Sequence, residues 1–222
     1  MPSRTYGQFC GLAHALELVG ERWALLLVRD LIPGPKRFTD LRNGLPRIPT
    51  NVLSARLKEL EGSGVIHRRV LPRPEGSIVY ELTEYGRDLE DVVLALGLWG
   101  ARSLGQPLPA DIVTTDSLIV ALRATFQPEA ARRLQVCYEL RLGDTVVHAC
   151  IDDGTLQVGE GSVAEADLVI ETGPVIRSLL AGEISPSEAI QNGSVHLTGD
   201  ADLLARFVEV FHIPPGPSKP PG

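Results

Sequence analysis

The sequence is poor in the residues that build metal centres and redox staples. Its three cysteines, Cys10, Cys137 and Cys150, form no CxxC pair, so free thiols are expected rather than a disulfide framework or a zinc site. Five histidines are scattered without an HExxH spacing, which leaves no recognisable metal-ligand pattern. A single methionine removes the adaptable side chain that promiscuous apolar sites favour. No apolar run approaches the ~20 residues of a membrane-spanning helix. The opening MPSRTYGQFC lacks the apolar stretch of a secretory signal, which predicts a cytoplasmic chain with no membrane partner. GEGS at 159–162 lacks the GxGxxG spacing and follows a hairpin pattern, so no phosphate loop is present. With no nucleophile motif either, the chain is expected to be neither an enzyme nor a cofactor carrier.

An overall positive charge is missing as well. The formal net charge is -7 over 222 residues, yet the acidity is unevenly placed. Residues 1–104 hold fourteen Lys and Arg against twelve Asp and Glu, and the remainder holds seven against sixteen. Nine basic residues fall within 36–73: Lys36, Arg37, Arg42, Arg47, Arg56, Lys58, Arg68, Arg69 and Arg73. Only Asp40, Glu59 and Glu61 oppose them there. A local basic surface therefore sits in an acidic chain, an arrangement that favours a polyanionic partner.

The periodicity explains where that surface lies. GLAHALELVGERWALLLVRDLIPG carries helical spacing through Leu12, Ala15, Leu16 and Val19, then through Trp23, Leu26, Leu27 and Leu31. RFTDLRNGL is a short helix ended by Asn43-Gly44, and residues 50–61 form another with Leu53, Leu57 and Leu60 at i, i+4 and i+7. Gly62 and Gly64 supply its stop. Two strands, 65–71 and 78–82, flank PRPEGS, and a helix with Val92, Leu96 and Trp99 on its apolar side runs to about Leu104. Helices followed by a hairpin and a further helix outline a winged helix-turn-helix.

On a helical wheel the leucines of 50–61 form one seam, and Asn51, Ser54, Ala55 and Lys58 occupy the other side, with Thr50 and Arg56 at its flanks. Short polar and cationic groups of this kind fit a major groove. Arg56 and Lys58 are long enough for phosphates. Arg68, Arg69 and Arg73 in the hairpin could straddle a backbone or enter the minor groove. Lys36 and Arg37 open the preceding helix, whose positive dipole end adds a phosphate site. With Thr39 and Arg47 these are the expected DNA-binding residues.

The features C…ALELVGERWALLLVRDL, RFTDL, LSARLKELEGSGVI, VYELTEYG and LGLW, in this order over about residues 8–104, resemble the HxlR-type winged-helix transcriptional regulators. The resemblance implies that Thr39 to Gly44 belong to the first helix of the motif and Thr50 to Glu61 to the recognition helix. It also implies a homodimer built through terminal helices. It places Cys10 where some relatives sense oxidants, a candidate redox residue. Pro49 stands where the family often has a capping serine and suits the first helical turn instead. Asn51 stands where a basic residue is frequent, so the operator is not carried over. Trp23 and Trp99 are expected as core or interface aromatics.

The second half follows a linker at 105–112. A helix over 116–126 leads into RLQVCYELRL, which alternates with Leu134, Val136, Tyr138, Leu140 and Leu142 on one face. Gly143-Asp144 and Asp153-Gly154 turn the chain into two further strands. ADLVIET, two short glycine-closed helices, SVHLTGD and a last helix with Phe207 and Phe211 complete it. His148 and His196 lie in strand patterns and are expected as satisfied sheet residues. The run ADLVIETGPVIRSLLAGEISPSEAIQNGSVHLTGDADLLARF resembles the sterol carrier protein domain. That resemblance implies an apolar cavity between sheet and helices for a lipid or other small apolar ligand.

The expected fold class is α+β. A winged helix-turn-helix domain (1–104) precedes an α+β domain (113–213) with one mainly antiparallel sheet covered by helices, and a disordered Pro/Gly tail (214–222) follows. The expected function is a dimeric regulator that binds double-stranded DNA, repressing more readily than activating. Its C-terminal domain would bind an apolar effector or aid dimerisation. The competing expectation is a lipid carrier whose DNA-binding domain has degenerated.

Overall fold

Apolar residues recurring every three or four positions build the first of two compact units, residues 1–93 and 94–222. The computed structural model describes residues 5–72, 76–105, 107–108 and 111–217. Arg73 and residues 218–222 lie outside these.

In the first unit, α1 (Gly11–Val19) and α2 (Ala24–Leu31) bury Ala13, Val19, Ala24, Leu27, Val28 and Leu31. Leu12 and Leu16, expected on the buried side of α1, are exposed. Trp23 precedes α2 with a left-handed backbone, φ 82°, and the Arg22 guanidinium lies 4.9 Å from its ring centre. Next come β1 (Lys36–Arg37), α3 (Phe38–Gly44) and α4 (Thr50–Gly62). Strands β2 (Ile66–Val70) and β3 (Ile78–Leu82) form the hairpin. β1 adds to it, pairing Lys36 with Tyr80 and Arg37 with Val79, so the sheet order is β1-β3-β2. This third strand is too short for a sequence period to show.

Thr83 joins the hairpin to α5 (Glu84–Arg87). Its hydroxyl donates to Gly64 O at 2.6 Å and accepts from the Gly86 N–H at 3.0 Å. A Cβ on Gly86 would overlap the carbonyl oxygen of Val65, so this glycine is set by close backbone approach. α6 (Leu89–Ala101) follows. Its Val92, Leu96 and Trp99 share one side as the periodicity requires, but that side faces solvent, with Trp99 67% exposed.

The second unit begins inside α6, at Leu94, and Leu98 and Ala101 pack on its core. α7 (Thr115–Thr125) starts at Thr114, whose hydroxyl accepts from the Ser117 N–H at 3.2 Å. Strands β4 (Gln135–Leu142), β5 (Thr145–Asp152), β6 (Thr155–Glu160), β7 (Leu168–Thr172) and β8 (Val195–Gly199) form a sheet in the order β6-β5-β4-β7-β8. Three of its pairings are antiparallel, but β7 joins β4 in parallel. The strand-helix-helix-strand order after β7 comprises α8 (Ile176–Leu180) and α9 (Pro186–Gln191), and α10 (Leu203–Val210) closes the unit.

Alternation sends Val136, Tyr138, Leu140, Val147, Ala149, Ile151, Leu168 and Ile170 to one face, where α7, α8 and α10 cover them. Cys137, Glu139, Arg141, His148 and Cys150 stand on the other. Cys137 and Cys150 occupy directly opposed positions and are bonded to each other. The expectation of free thiols thus holds only for Cys10. The tail is engaged at its start, since Pro215 O accepts from Arg102 Nε at 2.9 Å.

Candidate nucleic-acid interface

The helix-turn-helix is assembled from inside outwards. Leu41 of α3, Leu45 and Ile48 of the turn, and Leu53, Leu57 and Leu60 of α4 are all buried. Burying each such side chain contributes roughly 1.5–3 kcal/mol, so the seam dictates which face of α4 is left outside. That outer face carries Asn51, Ser54, Ala55 and Lys58, with Thr50 at its start, all exposed. Ser54 Oγ donates to Thr50 O at 3.0 Å, so its hydroxyl faces a partner mainly as an acceptor. Pro49 is the N-cap, extended at ψ 140°, and Thr50 opens the helix. The proline lies one step before the first turn to which the sequence assigned it. At the far end, Val65 N donates to Leu60 O at 3.0 Å and Gly64 N to Glu61 O at 3.1 Å, with Gly64 at φ 73°. This Schellman closure is where the glycine pair was expected to act.

Several basic residues are less available than their spacing suggested. Arg56 has only 18% of its side chain exposed; its Nη2 lies 3.4 Å from Glu21 Oε2 and its Nη1 is bonded to Glu59. It braces α4 against the α1–α2 connection instead of reaching outwards. Asp40 Oδ2 accepts the Arg37 backbone N–H at 2.8 Å, so an acidic side chain already serves the start of α3 where a phosphate was expected. Lys36 is half-buried, whereas Arg37, Thr39 and Arg47 are exposed.

The hairpin arginines point opposite ways because adjacent strand positions alternate. Arg68 Nε donates to Glu61 Oε1 of α4 at 2.9 Å. Arg69 forms a fork with Glu81, donating at 2.7 and 2.9 Å, and His67 Nε2 lies 2.8 Å from the same carboxylate. The Arg69 hydrogen bonds hold the Glu81 carboxyl below its usual range, and Glu61 and Glu81 push Arg68 and Arg69 up. Both guanidinium groups remain about half exposed. Both are held by surface pairs with Glu61 and Glu81, a class of interaction that is individually weak. Glu21 and Glu81 were missed in the sequence because each acts across a tertiary contact. Arg73, the remaining expected hairpin contact, lies outside the described residues.

The HxlR-like helix-turn-helix family pattern matches residues 18–107. Over 93 residues the chain is 40% identical to the uncharacterized HTH-type transcriptional regulator YdeP of Bacillus subtilis, covering 42% of this chain and 73% of YdeP. This chain belongs to the HxlR-like helix-turn-helix family. It is also 39% identical over 88 residues to the HTH-type transcriptional regulator YodB of the same organism, covering 40% of this chain and 79% of YodB. A solved structure entitled redox regulator HypR in its oxidized form is 35% identical, with TM-score 0.41 over 43% of this chain and 99% of that one.

In this HxlR-like chain Cys10 is exposed at the start of α1. Backbone N–H groups of Ala13 and then Leu12 lower its thiol from the ordinary range. The segment before it is tied down by Glu17, whose Oε1 accepts from Tyr6 N at 2.7 Å and Thr5 Oγ1 at 2.9 Å. Those bonds, the Tyr6 N–H first, lower the Glu17 carboxyl.

The family match ends at residue 107, and the second unit is read from its own geometry. Buried aromatic side chains pack between its sheet and helices. Phe207 sits edge-on to Tyr138 at 5.1 Å between ring centres, and Phe211 lies 4.7 Å from Phe207. Burial pushes the Tyr138 phenol up to about 12, and its hydroxyl donates to Leu203 O at 3.3 Å. A groove of about 470 Å³ opens beside the ends of β4, β7 and β8, lined by Arg141, Glu171, Thr172 and His196 with three glycines and Ser194. This groove lies at the strand ends and is distinct from the cavity between sheet and helices that the resemblance implies. Among the described residues no helix is long and apolar enough to cross a membrane.

Proposed function

We infer that this protein is a homodimeric transcriptional regulator that docks α4 in the major groove of an operator, with repression as its mode. The observation that carries the reading is the division of α4 into a buried leucine seam and an exposed face of Asn51, Ser54, Ala55 and Lys58. Small residues admit the helix to the groove, Asn51 addresses a base edge, and Lys58 takes a phosphate. Arg68 and Arg69 reach the flanking backbone from the hairpin. Dimerisation is supported by two exposed apolar stripes, Phe9, Leu12 and Leu16 at α1 and Val92, Leu96 and Trp99 on α6. A two-fold axis would set two half-sites about one helical turn apart. The domain assignment (1–104, linker 105–112, 113–213) and the sterol-carrier likeness belong to this reading. The packed aromatic core supports a dimer-aiding role for the second domain over effector binding; an apolar effector would first have to open the Tyr138–Phe207–Phe211 stack. The same packing counts against the carrier alternative. The exposed, hydrogen-bonded thiol of Cys10 supports oxidant sensing at the start of α1. In that case oxidant release of DNA would be lost in Cys10→Ser.

The test is fluorescence anisotropy against DNA from upstream of the protein's own gene and against random DNA, at several salt concentrations. Specific binding tighter than random by about a thousandfold or more is expected. Asn51→Ala should erase about 1–3 kcal/mol of that preference. Lys58→Ala should weaken both duplexes alike and lower the salt slope by about one. Equal affinity for the two duplexes would sink the reading and favour the carrier.

A further inference from the structure

We propose that Cys137 and Cys150 form a redox-active pair that exchanges two electrons with small-molecule disulfides, a modification site separate from Cys10. The two residues face each other across β4 and β5, with Cα atoms 4.0 Å apart and a sequence separation of 13. Cys137 N donates to Asp167 Oδ2 at 2.7 Å, and Asp167 N donates to Cys137 O at 2.8 Å. The backbone of Cys137 is thus turned away from β5, which makes Cys137 and Cys150 a non-hydrogen-bonded pair, the kind whose side chains approach most closely.

The ladder, not the sulfur bond, holds the residues together. Register runs unbroken from Gln135–Asp152 to Leu142–Thr145, and Gln135 Nε2 adds a bond to Asp152 Oδ1 at 2.9 Å beside the pair. Cys137 is further clamped by Asp167 from the β7 side. The same backbone therefore presents two adjacent thiols when reduced and a bridge when oxidised. Neither cysteine contributes to the apolar core, which lies on the opposite face of the sheet. Both are half-buried, within reach of a small reagent. This arrangement suits reversible chemistry: the second thiol is always poised to resolve a mixed disulfide formed by the first.

The reaction balances with a low-molecular-weight disulfide as oxidant. One cysteine thiolate attacks a sulfur of RS–SR, forming a protein–S–SR bond and releasing RS⁻, which leaves as RSH with the cysteine's proton. The second thiolate attacks the protein sulfur of that mixed disulfide, forming Cys137–Cys150 and expelling the second RSH. Two protein thiols are oxidised, one small disulfide is reduced to two thiols, and excess RSH reverses both steps.

The experiment uses the full chain carrying Cys10→Ser, so that only the pair reports. The native protein is equilibrated in buffers of varied oxidised-to-reduced glutathione ratio, quenched by alkylation and weighed by mass spectrometry. The expected result is a reversible transition between two alkylated thiols and none, with no glutathione retained. Amide hydrogen exchange in β4 and β5 should stay protected at both ends of the transition. Cys150→Ala should halt at a stable glutathione adduct on Cys137. A bridge that survives millimolar reduced glutathione until the chain is denatured would overturn the proposal. So would a native dithiol that never closes, or loss of β4–β5 protection on reduction. None of these readouts involves DNA, so failure here is separable from failure of the regulator reading.

Discussion

Arg56 separates residue type from residue role. Its charge and helical position fit a phosphate contact, but the guanidinium is drawn inward to Glu21 and Glu59. Arg56→Met should therefore lower the urea midpoint of unfolding while leaving the salt slope of DNA binding unchanged; a slope reduced by about one would return Arg56 to the phosphates. Asn51 and Lys58 stay on the exposed face because the leucine seam takes the buried one. Cys137 and Cys150 are an instructive miss. Cys137 stands six residues before Gly143 and Cys150 six after Asp144, so a two-residue turn at Gly143-Asp144 already places them opposite each other. The register was legible there, although cysteine counting alone pointed to free thiols.

Among the elements, the hairpin and the α4–β2 connection depend on a clamp that the LTEYG run encodes. Gly86→Ala would press a methyl group into the Val65 carbonyl. A loss of about 1–3 kcal/mol is expected in urea titration of the full chain. The Glu81 cluster makes the hairpin pH-sensitive in one direction. Because Arg69 lowers the Glu81 carboxyl below its unfolded value, the stabilisation is fully present above the ordinary carboxylate range. It fades as pH falls through the depressed value. Glu81→Gln should flatten this acid limb, measured as the slope of stability against pH below about 4.5; an unchanged slope would assign the acid limb to other carboxylates. Periodicity located most of the helices and strands to within a few residues. It could not show β1, which exists only because β3 offers an edge, or the parallel joining of β7 to β4, which sequence order does not encode.

Across the molecule, the proposed assembly on DNA rests on charge and exposed apolar surface. The basic residues of 36–73 are partly countered by Glu21 and Glu81 from outside that segment, so the binding surface is narrower than its formal charge implies. In the proposed dimer, two anchored heads would compensate by effective concentration. Trp99→Asp puts a charge in the exposed stripe of α6. Sedimentation velocity should then show monomers, and operator affinity should fall while random-DNA affinity changes little. Persistence of the dimer would move the interface elsewhere.

Composition and period alone determined the class of this protein: an α+β chain with a basic helix-turn-helix segment ahead of an acidic sheet domain. The hydrophobic repeat of a helix dictates which side must be hidden, and that holds wherever the helix is placed. Only the tertiary structure decided which cations pair with acids of the same chain, which apolar stripes face water, and which aromatic rings meet in the second domain. Those outcomes depend on contacts between residues far apart in sequence, where a carboxylate or an aromatic ring arrives from another element and no local pattern records it.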